Sequence, residues 1–217
     1  MHPDFWHERW QMGQIGFHEG KPNTDLVAGW PGLALAASAR VLVPLCGKTH
    51  DMAWLRAQGH SVVGVELSAV AAEAFFGEHG LTPDVTTRGP YTVWSVPGLE
   101  IWQGDIFNLP ADGSFDAIWD RAATVALPPD LRRRYATTLA KALKPGGTML
   151  LCVFDYPQAE RAGPPFAVPP EEVDALYAAS FHIQRLARPT DADDEKEKAR
   201  LGVSRTSTDL YRLTRAG

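Results

Sequence analysis

The chain has 217 residues, 45% of them hydrophobic and 22% charged, with a formal net charge of −5. This length suits one domain with a sizeable core, and the acidic balance argues against a nucleic-acid binder held by phosphate contacts. No apolar run approaches a membrane span in length. The N-terminus lacks a basic segment followed by an apolar one, so we expect no secretory signal and a cytoplasmic protein.

The first 39 residues are predicted to form a helical cover on an α/β core of residues 40–217, within one domain. Residues 4–12 read as a short helix that carries Phe5, Trp6 and Trp10, and a second short helix is predicted over 23–29. A segment this aromatic must pack on something, and we expect it to lie over the sheet edge where a ligand binds.

From residue 40 onward, predicted strands alternate with predicted helices. The strands are expected at 41–45, 61–66, 115–119, 148–154, 181–187 and 209–214, with a hairpin or pair of strands at 91–96 and 99–103. The helices are expected at 51–58, 69–79, 130–143 and 170–179. This alternation implies a parallel sheet with right-handed crossovers. The charged run 191–200 has no helical pattern, so the last two strands are expected to pair antiparallel.

The two cysteines, Cys46 and Cys152, lie in apolar strand-like runs. Buried thiols are therefore expected, rather than a disulfide or metal ligands. The histidines His2, His7 and His18 have no metal-ligand spacing with the cysteines, and we predict no metal site.

The segment Val43-Pro44-Leu45-Cys46-Gly47-Lys48-Thr49 lies where a strand should lead into a helix, and Glu66 follows Gly47 by nineteen residues. This layout is typical of a nucleoside-cofactor site in a doubly wound sheet, with a tight turn beneath the cofactor and an acid for the ribose hydroxyls. One glycine where three are usual argues against a dinucleotide. A phosphate-binding P-loop is excluded because it requires a glycine at the position of Leu42.

A carboxylate at the end of a buried strand is costly unless it is bonded. Glu66 therefore either binds two ribose hydroxyls or stabilises the start of the next helix, with Ser68 as the cap. The spacing from Gly47 favours the ribose role. Near the end of another strand, Asp105 can accept a hydrogen bond from an adenine amine while Ile106 packs on the ring, or Asp105 can form an Asx turn.

Arg121 comes just past a buried strand, at the functional edge of the predicted sheet. It can pair bidentately with a carboxylate, or it can form a structural ion pair with Asp120 or Asp51. The proline-rich run 162–170 cannot be regular structure. It is either a stiff connector or a rigid wall of the ligand site, and it borders the site in both cases.

With these pieces placed, the chain resembles the thiopurine S-methyltransferase family, within the class I S-adenosylmethionine-dependent methyltransferases. The resemblance spans nearly the full length. It is carried by Phe5-Trp6 with Trp10, Gly16-Phe17-His18, Val43 to Lys48, Gly59 to Glu66, Trp119-Asp120-Arg121 and Gly163 to Phe166. It implies a Rossmann-like fold whose doubly wound, mostly parallel, seven-stranded sheet has an antiparallel last strand. One departure is that Leu201 stands where relatives carry a tryptophan, with the basic position displaced.

The resemblance also implies roles for individual residues. Those expected to bind S-adenosyl-L-methionine are Trp10, Leu45, Gly47, Glu66, Asp105, Ile106 and Arg121. Those expected to wall the acceptor pocket are Phe17, Pro165 and Phe166. Arg121 is the catalytic candidate, expected near both the cofactor carboxylate and the acceptor, and Asp155 is a weak candidate for a base.

The predicted activity is S-methylation of thiopurines or other aromatic and heterocyclic thiols. The expected partner is a small-molecule thiol, with no nucleic acid or membrane, and the chain is expected to be a monomer. Methylation of selenium or tellurium compounds is one alternative. A nicotinamide-dependent oxidoreductase is another, because Glu66 would serve there too, although the missing glycines count against it.

Overall fold

A computed structural model describes residues 3–187 and 192–217 of the chain. The strands are β1 (Arg40–Pro44), β2 (Ser61–Glu66), β3 (Asp84–Arg88), β4 (Tyr91–Val96), β5 (Leu99–Gln103), β6 (Phe115–Arg121), β7 (Leu143–Asp155), β8 (Phe181–Leu186) and β9 (Ser207–Arg215). The helices are α1 (Pro3–Gln11), α2 (Thr24–Gly29), α3 (His50–Ala57), α4 (Ala69–Glu78), α5 (Pro129–Ala142), α6 (Pro170–Tyr177) and α7 (Ala192–Leu201).

The strands form one sheet in the order β3-β4-β5-β2-β1-β6-β7-β9-β8. Strand β1 pairs in parallel with β2 and β6, which in turn pair in parallel with β5 and β7. The last strand, β9, is antiparallel to both β7 and β8. The predicted doubly wound, mostly parallel sheet with an antiparallel last strand is confirmed.

Seven strands are too few for the described part of the sheet, which has nine because β4 and β3 extend it beyond β5 as an antiparallel hairpin. Strand β3 was not predicted because all five of its residues are exposed. An edge strand without a buried face has no alternation of apolar and polar residues to reveal it.

The expectation of no helix in the charged run 191–200 was wrong, since α7 occupies Ala192–Leu201, while residue 191 lies outside the described residues. Ion pairs one turn apart join Glu195 to Lys198 and Glu197 to Arg200. Glu, Lys, Ala and Arg are strong helix formers. The helix ends on Leu201, which is buried, and its other apolar positions are too few to give a helical period.

The core has two layers, one on each face of the sheet. Leu42 of β1 packs into a cluster with residues of α5 and α6, whereas Val41 and Val43 pack with residues of α2, α3 and α4. Successive strand residues point to opposite faces, so β1 is buried on both sides as a central parallel strand should be. Cys46 and Cys152 both lie buried in the second layer, as predicted.

The direction of the chain through the sheet reverses at β1. From β1 the chain proceeds to β2 on one side, and later returns through β6 and β7 on the other. In open α/β sheets such a reversal leaves a crevice at the carboxyl ends of the strands, where ligands bind. The turn that follows β1 therefore lies at this crevice, as predicted from the sequence. Among the described residues, no helix combines the length and the apolar character needed to cross a membrane.

Two glycines make a matched test of this packing. A Cβ at Gly64, in the middle of β2, would lie 2.6 Å from Cys46 Sγ and 2.6 Å from Met52 Sδ. We expect Gly64→Ala to lower the free energy of unfolding by about 1–3 kcal/mol, because it overpacks the core. Gly77, inside α4, has open space around it. Gly77→Ala should raise the free energy of unfolding by about 0.5–1 kcal/mol. Urea unfolding measures both, and equal stabilities would contradict the packing of β2.

Candidate active site

A cavity of about 670 Å³ opens at the carboxyl ends of β1, β2 and β6. Pockets for small molecules and cofactors span roughly 300–1,000 Å³. The predicted site residues that line it are Trp10, Phe17, Leu45, Gly47, Glu66, Asp105, Ile106, Arg121 and Pro165. The structure thus brings together nine of the ten residues predicted from sequence.

The tenth residue, Phe166, is not among the residues that line the cavity. Its ring packs against Gly163, where an added Cβ would lie 2.5 Å from the ring, and the Arg132 guanidinium lies 5.8 Å from its centroid. Its backbone N–H donates to Val125 O at 2.7 Å. Phe166 therefore anchors the proline-rich run 162–170 (the proline segment), and Pro165 with Pro164 provides the wall of the cavity.

The turn after β1 has an unusual backbone. Leu45 has φ 46°, and Ala122, in the turn after β6, has φ 60°. Residues without glycine's freedom pay about 1–3 kcal/mol in this region, and such strain gathers at functional sites. Gly47 has φ 52°, and a Cβ there would lie 3.0 Å from Trp10 Cζ2. The position thus requires glycine both for its backbone angle and for the close approach of the indole.

Glu66 is buried, and both of its carboxylate oxygens accept hydrogen bonds from the backbone. Oε2 accepts from the Gly47 N–H at 2.8 Å, and Oε1 accepts from the Ser68 N–H at 2.7 Å. Burial raises the pKa of Glu66, and these hydrogen bonds oppose the rise. The bond to Ser68 is the helix-start role considered above, although the Ser68 side chain makes no capping hydrogen bond. Each oxygen keeps a second lone pair, so a ribose role remains compatible.

The N-terminal cover reaches the cavity through aromatic rings that include those of Trp6, Trp10 and Phe17. Phe17 stands edge-on to Trp10, with ring centroids 5.7 Å apart. The cover is tied to the core by Asp51, whose Oδ1 accepts from the Asn23 N–H at 2.7 Å and whose Oδ2 accepts from Trp119 Nε1 at 2.7 Å. The carboxylate of Asp51 is therefore an anchor for the cover.

Arg121 ends β6 and is held by the cover. Its Nη1 donates to Phe17 O at 3.2 Å, and its Nη2 donates to Glu19 Oε1 at 2.5 Å. Of the two structural partners considered, Asp51 binds Asn23 and Trp119, and the buried Asp120 accepts from Thr124 and Tyr135. The ion pair with Glu19 spans 102 positions, so no local signal pointed to it.

At the adenine end of the predicted site, Asp105 caps a short 3₁₀ helix over Ile106–Asn108. Its Oδ1 accepts from the Phe107 N–H at 3.0 Å, which is the Asx-type turn considered above. Ile106 is buried and lines the cavity beside it.

At the opposite end, the cavity is lined by charged residues for which no role was predicted from sequence. Glu197 and Arg200 come from α7, and Arg161 precedes the proline segment. Arg161 Nη1 donates to Leu201 O at 2.9 Å, which links the proline segment to α7. Glu197 and Arg200 were missed because the helix that carries them was missed.

Comparison with known proteins gives the family. The family model for thiopurine S-methyltransferase matches residues 1–216. A thiopurine S-methyltransferase from Xanthobacter autotrophicus is 56% identical over 189 residues, which cover 86% of this chain and 88% of the relative. One from Pseudomonas syringae pv. tomato is 45% identical over 217 residues, 99% of each chain. The chain belongs to the thiopurine S-methyltransferase family.

Solved structures agree on the fold of this family member. A TehB-like SAM-dependent methyltransferase from Corynebacterium glutamicum superposes with a TM-score of 0.60 at 14% identity, covering 99% of this chain and 98% of the other. A 1,6-didemethyltoxoflavin-N1-methyltransferase from Burkholderia thailandensis gives a TM-score of 0.61 at 19% identity, covering 99% and 87%. The predicted class I methyltransferase fold is confirmed.

Membership of the thiopurine S-methyltransferase family makes the chain a methyltransferase, and its cofactor is S-adenosyl-L-methionine. The alternative of a nicotinamide-dependent oxidoreductase finds no support in the family.

Alanine substitutions at Gly47 and Gly98 distinguish the loss of stability caused by a positive φ from the role of the Gly47 turn in cofactor binding. Both have positive φ, at 52° and 80°, so alanine at either position should cost about 1–2 kcal/mol of stability. Only Gly47→Ala places its Cβ 3.0 Å from the Trp10 ring, whereas Gly98→Ala meets Arg56 no closer than 3.6 Å. We expect Gly47→Ala to weaken binding of S-adenosylhomocysteine about tenfold (roughly 1.4 kcal/mol) and Gly98→Ala to leave it unchanged. Titration calorimetry measures both, and equal affinities would show that the turn does not shape the cofactor site.

Proposed function

We propose that the protein transfers a methyl group from S-adenosyl-L-methionine to the sulfur of an aromatic or heterocyclic thiol, thiopurines included. The observation that carries the proposal is the position of Arg121, which lines the same cavity as the turn after β1 and the proline segment. A fixed guanidinium among apolar and aromatic side chains suits a flat, anionic acceptor such as an aryl thiolate. Action as a cytoplasmic monomer stays a prediction.

The residues present fit the cofactor. Because Gly47 has no side chain, the Trp10 ring packs directly against the turn and lines the cavity, where it offers an apolar contact for the methionine part. The buried carboxylate of Glu66 keeps unused lone pairs for the ribose hydroxyls. Ile106 offers an apolar contact for the adenine, with the exposed Asp105 beside it. When bound, the cofactor supplies an electrophilic methyl group on a sulfonium.

The side chains of this site suit a reaction that needs position more than proton transfer. Displacement at a sulfonium methyl releases a neutral leaving group, so no side chain is required to protonate it. An acidic aryl thiol arrives as thiolate, so no general base is required. Asp155, the weak candidate for a base, is paired with Arg205 at 2.8 Å and is not among the residues that line the cavity. Arg121 would orient the thiolate in line with the methyl group.

The partners of Arg121 set its direction. The Phe17 carbonyl and the Glu19 carboxylate occupy Nη1 and Nη2 on the side of the cover. Arginine has five N–H donors in a planar fork, so N–H groups remain for an acceptor while the fork is held. The cover thereby aims the guanidinium as well as closing the cavity over it.

A second acceptor class, selenium or tellurium compounds, is favoured by one observation. Arg161 lines the cavity, and its Nε is buried with no hydrogen-bond partner. A buried donor without a partner is costly. An anionic acceptor at that end of the cavity would satisfy it, and the oxyanions of these elements carry that charge.

Glu66 tests the cofactor assignment. Hydrogen bonds to a charged group contribute about 1.5–3 kcal/mol, so we expect Glu66→Gln to weaken binding of S-adenosylhomocysteine roughly 10- to 100-fold. The amide also disturbs the Gly47 turn, and a second ligand separates the two effects. Wild type should lose affinity for a 2′,3′-dideoxy analogue, whereas Glu66→Gln should lose little more.

Calorimetric titration of both ligands into both proteins gives the full cycle. Glu100→Gln is the matched control, since Glu100 lies on β5, pairs with Arg88 and does not line this cavity. Equal losses for the analogue in wild type and in Glu66→Gln would remove the ribose role.

The acceptor is tested by a panel of aromatic and heterocyclic thiols, their oxygen analogues, and selenite and tellurite, read as release of S-adenosylhomocysteine. We expect turnover on thiols and none on the oxygen analogues. Turnover on the oxyanions alone would establish the second acceptor class instead, and no turnover on any thiol would refute the proposal.

Arg121→Ala should lower kcat/KM for the accepted thiol about 100-fold, the scale of losing one preorganised electrostatic contact. Arg133, exposed on α5, is the control, and Arg133→Ala should leave kcat/KM unchanged. Full turnover and full cofactor affinity in Arg121→Ala would show that the Arg121 assignment is wrong.

A further inference from the structure

Two histidines and a glutamate meet beside the mouth of the cavity. His18 follows α1 in the cover, His50 is the first residue of α3, and Glu78 is the last residue of α4. One ligand atom from each lies within 4.8 Å of the others. Because the three residues come from separate elements, their spacing along the chain gave no sign of a site.

The cluster is held together by charge and stacking. Glu78 accepts a short hydrogen bond from Lys48 Nζ, and His18 Nε2 lies 3.8 Å from the second Glu78 oxygen. The His18 ring stacks on the His50 ring, with centroids 5.6 Å apart.

His79 adds an independent observation at the edge of the cluster. Its Nδ1 lies 3.0 Å from Phe75 O. Since a carbonyl only accepts, Nδ1 carries the proton and Nε2 of the neutral ring carries the lone pair. That Nε2 is buried without a hydrogen-bond partner, and the ring lies 5.0 Å from that of His50. A buried lone pair with no donor is unfavourable; His79 Nε2 is thus an unsatisfied nitrogen at the edge of the cluster, although it is not one of the three groups whose ligand atoms converge.

We propose that His18, His50 and Glu78 bind a divalent transition-metal ion, with Zn²⁺ the ion whose preference for imidazole and carboxylate ligands fits best. Ligand atoms of a tetrahedral zinc site lie about 3.4 Å apart, given zinc–nitrogen bonds of roughly 2.0–2.1 Å. The three atoms, which lie within 4.8 Å of one another, must therefore close by up to about 1.4 Å. Glu78, whose side chain is 37% exposed, has the freedom to do so once it leaves Lys48.

A metal here would act on the active site through the cover. His18 lies between Phe17 and Glu19, the two residues that hold Arg121. Coordination would fasten His18 to α3 and α4, and with it the segment that aims the guanidinium. The site would strengthen the closed position of the cover without touching the reacting atoms.

The test is titration calorimetry of the full chain with Zn²⁺ alone. We expect one site, with the affinity lowered at least tenfold by His50→Ala, by Glu78→Gln and by His18→Phe, which keeps an aromatic ring against His50. His182→Ala, at an exposed histidine of β8, should bind as wild type does. Lys48→Met should bind Zn²⁺ more tightly, because it removes the competitor for Glu78.

A second readout guards against variants that fail to fold. Zn²⁺ should raise the thermal midpoint of wild type and His182→Ala but not of His50→Ala, because only binding to the native state stabilises it. Equal affinity in all variants, no binding by wild type, or weaker binding by Lys48→Met would overturn the proposal. Neither readout depends on methyl transfer, so its failure would leave the proposed function untouched.

Discussion

The carboxylate of Glu66 joins the turn after β1 to the turn after β2. Burying a charge is unfavourable unless hydrogen bonds replace its water, and here the backbone N–H groups of Gly47 and Ser68 provide them. The same bonds fix the Gly47 turn, which allows the Trp10 ring to settle against it. Glu66, whose burial would be destabilising without these hydrogen bonds, thus positions both the floor of the cavity and the cover above it.

The cover depends on this turn but is secured elsewhere. Asp51 joins Asn23 of the cover to Trp119 of β6, and Arg121 of the same strand joins Phe17 and Glu19. Strand β6 therefore holds the cover at two points. Trp119 does so through the buried carboxylate of Asp51, and Arg121 does so directly with its guanidinium, which also faces the cavity. If Arg121 orients the acceptor as proposed, closure of the cover and orientation of the acceptor are coupled.

The sequence sufficed wherever local pattern and burial agree. Strands β1, β2 and β6 are buried on both faces, so their apolar runs were plain, and the distance from Gly47 to Glu66 followed from one strand–helix–strand unit. Prediction from the sequence failed where an element is stabilised by something other than a buried apolar face. Strand β3 is exposed throughout, and α7 is built from helix formers and ion pairs with few apolar residues. The partner of Arg121 was unpredictable because the pair closes only after folding.

The two ends of the cavity differ in what fixes them. At the proposed cofactor end, the turns are fixed by backbone N–H groups of Gly47, Ser68 and Phe107, which donate to the carboxylates of Glu66 and Asp105. At the other end, side chains of Arg161, Glu197 and Arg200 line the wall. The backbone half of each contact at the proposed cofactor end survives substitution, whereas substitution at the proposed acceptor end changes the wall itself. Family membership is therefore a stronger argument for the cofactor than for the acceptor.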